Sequence, residues 1–264
     1  MAEFTIYNAD CLDVIRGMDA NSVDAVITDP PYGTTACSWD SAIPFDAMWE
    51  GLRRVRKSRA AVVLFGSEPF SSALRVSNLN EYKYDWIWEK SKKTGFLNSQ
   101  KQPLRSHEII SVFYAAQCVF NPQMKTVKRR FVSRSGTFQG YGSHIALSGD
   151  NGGLEYPFDV LKFQSVGGGL HPTQKPVALM EYLIKTYTNE GDTVLDFTMG
   201  SGSTGVAAML TNRNFIGIEL DPTYFQIAKE RITKAQTISR GEFPTITAKP
   251  NELDNLPLFA EATP

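Results

Sequence analysis

The chain is poor in the residues that build metal sites and covalent frameworks. It has three cysteines, Cys11, Cys37 and Cys118, and three histidines among 264 residues. The cysteines are odd in number and none forms a C-x-x-C pair, which argues against a disulfide framework and against zinc. With so few ligands, no metal is expected. No apolar run reaches membrane-spanning length, and the start MAEFTIYNAD lacks the basic and apolar regions of a signal peptide, so no membrane association is expected. Together these features point to a reducing cytoplasm. There is no internal repeat, and no excess of charge of one sign, the net value being −1.

The near-neutral total hides an uneven distribution. From Lys90 to Arg134 there are ten cations: Lys90, Lys92, Lys93, Lys101, Arg105, Lys125, Lys128, Arg129, Arg130 and Arg134. Glu108 is the one acid among them, so the rest of the chain is acidic. A concentrated basic stretch suits a polyanion. It equally suits a solvated face whose acidic partners come from elsewhere in the fold. The run from Arg53 to Arg59 reads as the end of a surface helix.

Hydrophobic residues make up 42% of the chain, enough for one large α/β domain over residues 1–264. Short apolar, β-branched runs read as strands at 4–7, 23–27, 60–65, 82–88, 108–114, 193–197 and 215–220. Helices are expected at 11–17, 43–55, 68–76, 177–188, 204–211 and 222–235. Asp10 and Asp221 are placed as N-caps, and Pro176 and Pro222 at first helical positions. Alternating strands and helices imply a mostly parallel central sheet covered on both faces. The pattern weakens over 121–169, where glycine, serine and basic residues gather, and a small recognition insertion is expected there. The proline-rich tail 241–264 is expected to be partly disordered.

Two stretches carry chemistry. In the first, the strand 23–27 runs into Asp29-Pro30-Pro31-Tyr32. Prolines cannot donate to a sheet ladder and hold the backbone extended, so the strand stops on a stiff turn bearing a carboxylate and a ring. In the second, the strand ending at Asp196 runs through Gly200, Gly202 and Gly205 into a helix, a G-x-G-x-x-G turn in the strand–helix context the motif needs. Glu219 ends the following strand, where an acid can bind both hydroxyls of a ribose. An adenosine-containing cofactor is expected. The glycines alone do not choose between hydride transfer with a nicotinamide dinucleotide and methyl transfer with S-adenosylmethionine.

Asp29-Pro30-Pro31-Tyr32, then His171-Pro172-Thr173-Gln174-Lys175-Pro176, then the glycine turn give a chain that resembles the amino-group DNA methyltransferases of the β class. The likeness spans about residues 4–236. The middle of the chain is similar to site-specific adenine methyltransferases of phages and prophages. The resemblance implies a Rossmann-like class I methyltransferase fold with circularly permuted motif order. It implies S-adenosylmethionine as cofactor and double-stranded DNA as substrate, in a bacterial or phage-infected cell. It leaves open a homodimer and a restriction partner. The expected reaction is methylation of the N6 amino group of an adenine flipped out of the duplex. Asp29 favours adenine, because cytosine enzymes more often begin the motif with serine; N4-cytosine methylation is the alternative, since a cytosine enzyme can also carry aspartate there. A dehydrogenase and an unreactive DNA-binding subunit come behind these.

The resemblance assigns catalysis to Asp29, Pro30, Pro31 and Tyr32. The Asp29 carboxylate and Pro30 carbonyl would accept the two amino hydrogens, and Tyr32 would stack on the base. It assigns cofactor contacts to Asp10, Cys11, Asp29, Thr173, Lys175, Asp196, Thr198, Gly200, Ser201, Gly202, Ser203, Thr204 and Glu219. Among these, Asp10 would bind the adenine amino group or merely cap its helix. Thr173 and Lys175 would hold the methionine carboxylate. His171 reads as structural, Trp86 and Trp88 as core, and Phe65-Gly66-Ser67 as a lining of the target pocket. The ten cations would meet phosphates, and residues of about 121–164 would read sequence. One departure stands out. The family turn reads Asp-Pro-Phe, whereas this chain has Asp196-Phe197-Thr198, with the aromatic moved by one position.

Overall fold

The computed structural model describes residues 1–33, 42–128, 131–133, 148–150, 152–166 and 174–241. Its strands are β1 (Phe4–Asn8), β2 (Val23–Thr28), β3 (Arg56–Gly66), β4 (Tyr82–Thr94), β5 (Arg105–Phe113), β6 (Lys125–Thr126), β7 (Phe131–Ser133), β8 (Ser148–Asp150), β9 (Leu154–Glu155), β10 (Val160–Phe163), β11 (Thr193–Asp196) and β12 (Asn214–Glu219). Its helices are α1 (Cys11–Gly17), α2 (Phe45–Val55), α3 (Phe70–Ser77), α4 (Val177–Tyr187), α5 (Ser203–Leu210) and α6 (Pro222–Ser239).

Eight strands form one sheet in the order β1-β12-β11-β2-β3-β5-β4-β10. All its pairings are parallel except those of β5 with β3 and with β4. Successive side chains of β3 go to opposite faces. Ala61, Val63 and Phe65 pack with Leu183, Ala207 and Ile232 of α4, α5 and α6. Val62 and Leu64 pack with Ile15, Trp49 and Leu74 of α1, α2 and α3. Both faces are therefore covered, as strand–helix alternation requires. Trp86 and Trp88 are buried in the first of these cores.

The helix starts follow their residues. Asp10 accepts hydrogen bonds from the Leu12 and Asp13 amides, and Asp221 from those of Thr223 and Tyr224. Pro222 begins α6 as expected, whereas Pro176 is the residue just before α4 rather than its first. The basic run 53–59 divides differently from expectation. The helix ends at Val55, and Arg56 to Arg59 open β3. Arg56 pairs with Glu81 at 2.6 Å and Lys57 with Asp24 at 2.8 Å, so distant acids draw these cations into the strand.

The loop-rich stretch 121–169 holds a strand the pattern did not reveal, β10, which adds to the edge of the main sheet beside β4. Two short antiparallel pairs, β6 with β9 and β7 with β8, lie in the same stretch. At the opposite edge β1 pairs with β12, and Gln236 of α6 donates to the Ala2 carbonyl at 3.0 Å. The first strand and the last described helix thus touch.

Candidate active site

The two chemical stretches meet because β2 and β11 are parallel neighbours, with Leu195 opposite Val26. They end at the same edge of the sheet. Beyond them the connections diverge, from β11 through α5 to β12 on one side and from β2 through α2 to β3 on the other. Such a switch point opens a crevice at the carboxyl ends of the strands. Here the crevice is a cleft of about 440 Å³, lined from one half by Asp29, Pro30, Pro31 and Tyr32 and from the other by Asp196, Phe197, Thr198, Gly200 and Glu219.

Hydrogen bonds stitch the halves together. The Thr28 hydroxyl donates to Asp196 Oδ1 at 2.5 Å, and the Thr198 hydroxyl to the Asp29 carbonyl at 3.1 Å. The Thr204 hydroxyl donates to Asp196 Oδ2 at 2.5 Å, and the Thr198 amide to Oδ1 at 3.2 Å. Asp196 is 3% exposed. Burial pushes its pKa up to about 6, against the pull of those bonds. The displaced aromatic has a clear place. Phe197 is buried with the α1 and α2 side chains, and the smaller Thr198 serves as the polar bridge to β2.

The glycine turn divides its labour. Gly202 has φ +77, and a Cβ there would lie 3.0 Å from Ala228 Cα, so both turn and packing require glycine. Gly205 lies inside α5, where a Cβ would come within 2.7 Å of Phe215 Cε1 and run into Ile232. The third glycine of the motif therefore packs α5 onto α6 and β12. Gly200 donates its amide to Glu219 Oε2 at 2.8 Å, and Asp221 donates to Oε1 at 2.8 Å. Burial raises the Glu219 pKa, and the two amides oppose this. The carboxylate is thus fixed at the cleft by backbone donors, with lone pairs left for hydroxyls.

Asp10, Cys11, Lys175, Ser201, Ser203 and Thr204 also line the cleft. Asp10 caps α1 and faces the cleft at once, so its two suggested roles are compatible. Cys11 is no nucleophile, since burial pushes its thiol to about 12. Thr173 and His171 lie outside the described residues, as do Arg129, Arg130, Arg134 and Cys37. Phe65-Gly66-Ser67 does not line the cleft. Phe65 is buried with the Lys175 ammonium 5.1 Å from its ring centre, and Ser67 accepts from Arg105 at 2.7 Å.

Several contacts were not foreseen. Tyr32 donates its hydroxyl to Asp29 Oδ1 at 2.5 Å, and its ring packs 4.9 Å from that of Phe70. Lys175 donates to Asp29 Oδ2 and lies 3.2 Å from Glu108 Oε2. Lys90 is buried and donates to Glu108 Oε1 at 3.1 Å, which corrects its expected place on a phosphate-binding surface. The other described cations of that set, Lys92, Lys93, Lys101, Arg105, Lys125 and Lys128, are exposed. A proline-rich motif could reveal Asp29 in sequence, but nothing local to Glu108 or Lys90 announces them.

A mostly parallel, doubly covered sheet with an Asp-Pro-Pro-Tyr turn, a glycine turn and a ribose-type acid around one cleft defines a class I methyltransferase. The profile of the DNA methylase family matches residues 23–230, and the chain belongs to that family of N6/N4 amino methyltransferases. The Type II methyltransferase M.HpaI of Haemophilus parainfluenzae is 28% identical over 239 residues, covering 85% of this chain and 72% of that one. The solved structure of M1.HpyAVI in complex with SAM has 27% identity and a TM-score of 0.59, covering 87% of this chain and 98% of that one. The cytosine-N4-specific PvuII DNA methyltransferase reaches a TM-score of 0.61 at 16% identity, over 92% and 94% of the two chains, a likeness of fold. Family membership displaces the dehydrogenase alternative. Among the described residues no helix is long and apolar enough to cross a membrane, and no cluster of His, Cys, Asp and Glu could hold a metal.

Proposed function

We propose that this DNA methyltransferase acts on the N6 amino group of an adenine flipped out of duplex DNA, within a defined sequence. S-adenosylmethionine is the methyl donor. The observation that carries the adenine reading is the Asp29 carboxylate at the end of β2, facing the cleft that Glu219 also faces. The N4-cytosine alternative is weaker because that turn more often begins with serine there.

The exocyclic nitrogen is a poor nucleophile, since its lone pair is delocalised into the ring. Acceptors at Asp29 and the Pro30 carbonyl would hold its two hydrogens and favour a tetrahedral nitrogen aimed at the methyl carbon. Tyr32, tied to Asp29, would offer its ring to the base. The cofactor supplies an electrophilic methyl group on a sulfonium. Glu219 would take the ribose hydroxyls, and Asp196 and Asp10 would meet the cationic and amino groups of the donor. Lys175 is engaged by Asp29 and Glu108, which favours a role on the carboxylate of Asp29 over one on the donor.

The β4–β5 hairpin extends past this edge of the sheet. It carries Lys92, Lys93, Lys101 and Arg105 with the exposed side chains of Phe96 and Leu97 at its turn. We read it as part of the phosphate-binding face, with the cations at Lys125 and Lys128 and those at 129, 130 and 134.

Incubation with duplex DNA and labelled donor, followed by mass spectrometry of the digested nucleosides, tests the reaction. N6-methyldeoxyadenosine is expected, with long-read sequencing giving one sequence context. N4-methyldeoxycytidine alone would overturn the adenine reading, and equal incorporation by Asp29→Ala would overturn the role of Asp29.

A further inference from the structure

Four charged side chains from four parts of the chain meet behind the cleft. Asp29 follows β2, Lys90 is on β4, Glu108 on β5, and Lys175 precedes α4. Lys175 bridges the two carboxylates, bonding Asp29 Oδ2 and lying 3.2 Å from Glu108 Oε2, while Lys90 holds Glu108 Oε1 at 3.1 Å. The side chains are little exposed: 8% for Lys175, 10% for Lys90, 17% for Glu108 and 20% for Asp29. Burying ions costs free energy that mutual attraction seldom repays in full, so a buried quartet is weak evidence of stabilisation and invites another explanation. Asp29 and Lys175 line the cleft, and Glu108 does not. Glu108 therefore acts on the cleft through its neighbours, by its contact with Lys175 and by its charge on Asp29.

We propose that Glu108 is a positioning residue for methyl transfer, holding Lys175 on Asp29 and keeping Asp29 able to accept the proton that the reaction releases. This rests on the amino-methyltransferase reading above. When the amino nitrogen attacks, its lone pair forms the new N–C bond and the S–C bond pair returns to sulfur. The nitrogen is left cationic with one proton too many. Asp29 is the carboxylate beside it, and from there the proton passes to solvent. An Asp29 gripped by Lys175 alone would be a poor acceptor, because the cation favours the ionised form. Glu108 shares the ammonium and adds a second negative charge.

The charges around Asp29 agree with this. Burial raises its pKa, Glu108 raises it further, and Lys175 and the Tyr32 hydroxyl oppose them. Asp196 of β11 is a further nearby acid, coupled to Asp29 by charge. Burial pushes Glu108 up, but Lys175 and Lys90 more than offset this and hold it below the ordinary glutamate value. Burial lowers Lys175, and the two carboxylates more than restore it. The surroundings thus favour the charged form of Glu108 and disfavour that of Asp29.

Glu108→Gln keeps the shape and removes the charge. The kcat on duplex DNA is expected to fall roughly tenfold or more, a part of the roughly 10²–10⁴-fold that a positioned proton acceptor contributes. KM for DNA should hold, and the acidic limb of the pH profile should move to lower pH. Glu108→Asp should bring that limb back toward the wild-type position. In the cofactor-free protein, the ¹³C resonance of the Asp29 carboxyl, identified by its loss in Asp29→Asn, should titrate at lower pH in Glu108→Gln than in the wild type. A merely structural Glu108 would leave both the limb and this titration where they were, and that result overturns the proposal. Glu108→Gln with Lys90→Met removes the buried pair together and guards against misfolding. It should keep the low kcat and the displaced limb; recovery of wild-type values would show that Glu108 only neutralises Lys90. A wild type that methylates no DNA would instead refute the reaction itself, while the carboxyl titration would still decide the role of Glu108.

Discussion

Replacing Asp196 by asparagine is expected to make the protein more stable and a worse binder. Asp196 is 3% exposed and burial raises its pKa from 3.8 to about 6. A carboxyl raised in this way contributes stability through its protonated form. That contribution is complete below 3.8 and is lost as the pH rises through about 6. Above that, the folded protein carries a buried carboxylate at a cost of roughly 3 kcal/mol relative to the protonated form. Asparagine avoids the cost and can keep the bonds. Its oxygen can accept from the Thr28 hydroxyl and the Thr198 amide, and its NH₂ can donate to the Thr204 oxygen, whose own hydrogen is free to rotate. At pH 8 the Asp196→Asn protein should therefore gain up to about 3 kcal/mol in urea unfolding, or roughly 6–12 °C in Tm for a chain of this size. At pH 4 the two proteins should coincide. Calorimetric titration at pH 8 should show S-adenosylmethionine binding weakened roughly tenfold or more, the scale of one charged hydrogen bond. An asparagine variant that is no more stable at pH 8, or whose advantage persists undiminished to pH 4, would refute the reasoning.

Gly205→Ala should lose about 1–3 kcal/mol in urea unfolding, because the new methyl group meets Phe215 and Ile232. Its affinity for the donor should stay near wild type; lost affinity with intact stability would make Gly205 a ligand contact instead. The triple change Lys92→Gln, Lys93→Gln, Lys101→Gln should weaken DNA binding and reduce the slope of log K against log salt by about 0.9 per lost phosphate contact. An unchanged slope would take the β4–β5 hairpin off the DNA face.

What could be read from the sequence was whatever the backbone itself enforces. Two prolines end β2 on a stiff turn, glycines permit the turn after β11, and Asp221-Pro222 starts α6; each signal is local, and each element appears where it points. What could not be read depends on partners far along the chain. Arg56 and Lys57 looked like the end of a helix until Glu81 and Asp24 were placed beside them, 25 and 33 residues away. β10 is four residues in a glycine-rich stretch and becomes a strand only because β4 offers it an edge. Lys90 shared the sign of its exposed neighbours, yet the pleat turns it inward onto Glu108. The site was half visible for the same reason. Asp29, Asp196 and Glu219 stand at strand ends marked by their motifs, whereas Glu108 is a lone acid in a basic stretch and acquires meaning only from the antiparallel course of β5.

The contact between Ala2 and Gln236 makes the order of events along this chain a matter of where it is cut. With Ala2 held against α6, a short peptide could join the end of α6 to Ala2 in place of residues 242–264, and new ends could be opened at the exposed Ala116. The rewired polypeptide would read donor half first and target half second, yet every strand would keep its neighbours. Written as a ring, the protein has no first motif. If the rewired form folds and methylates, then the sequence order that marks its class is a record of ancestry and places no demand on the chemistry.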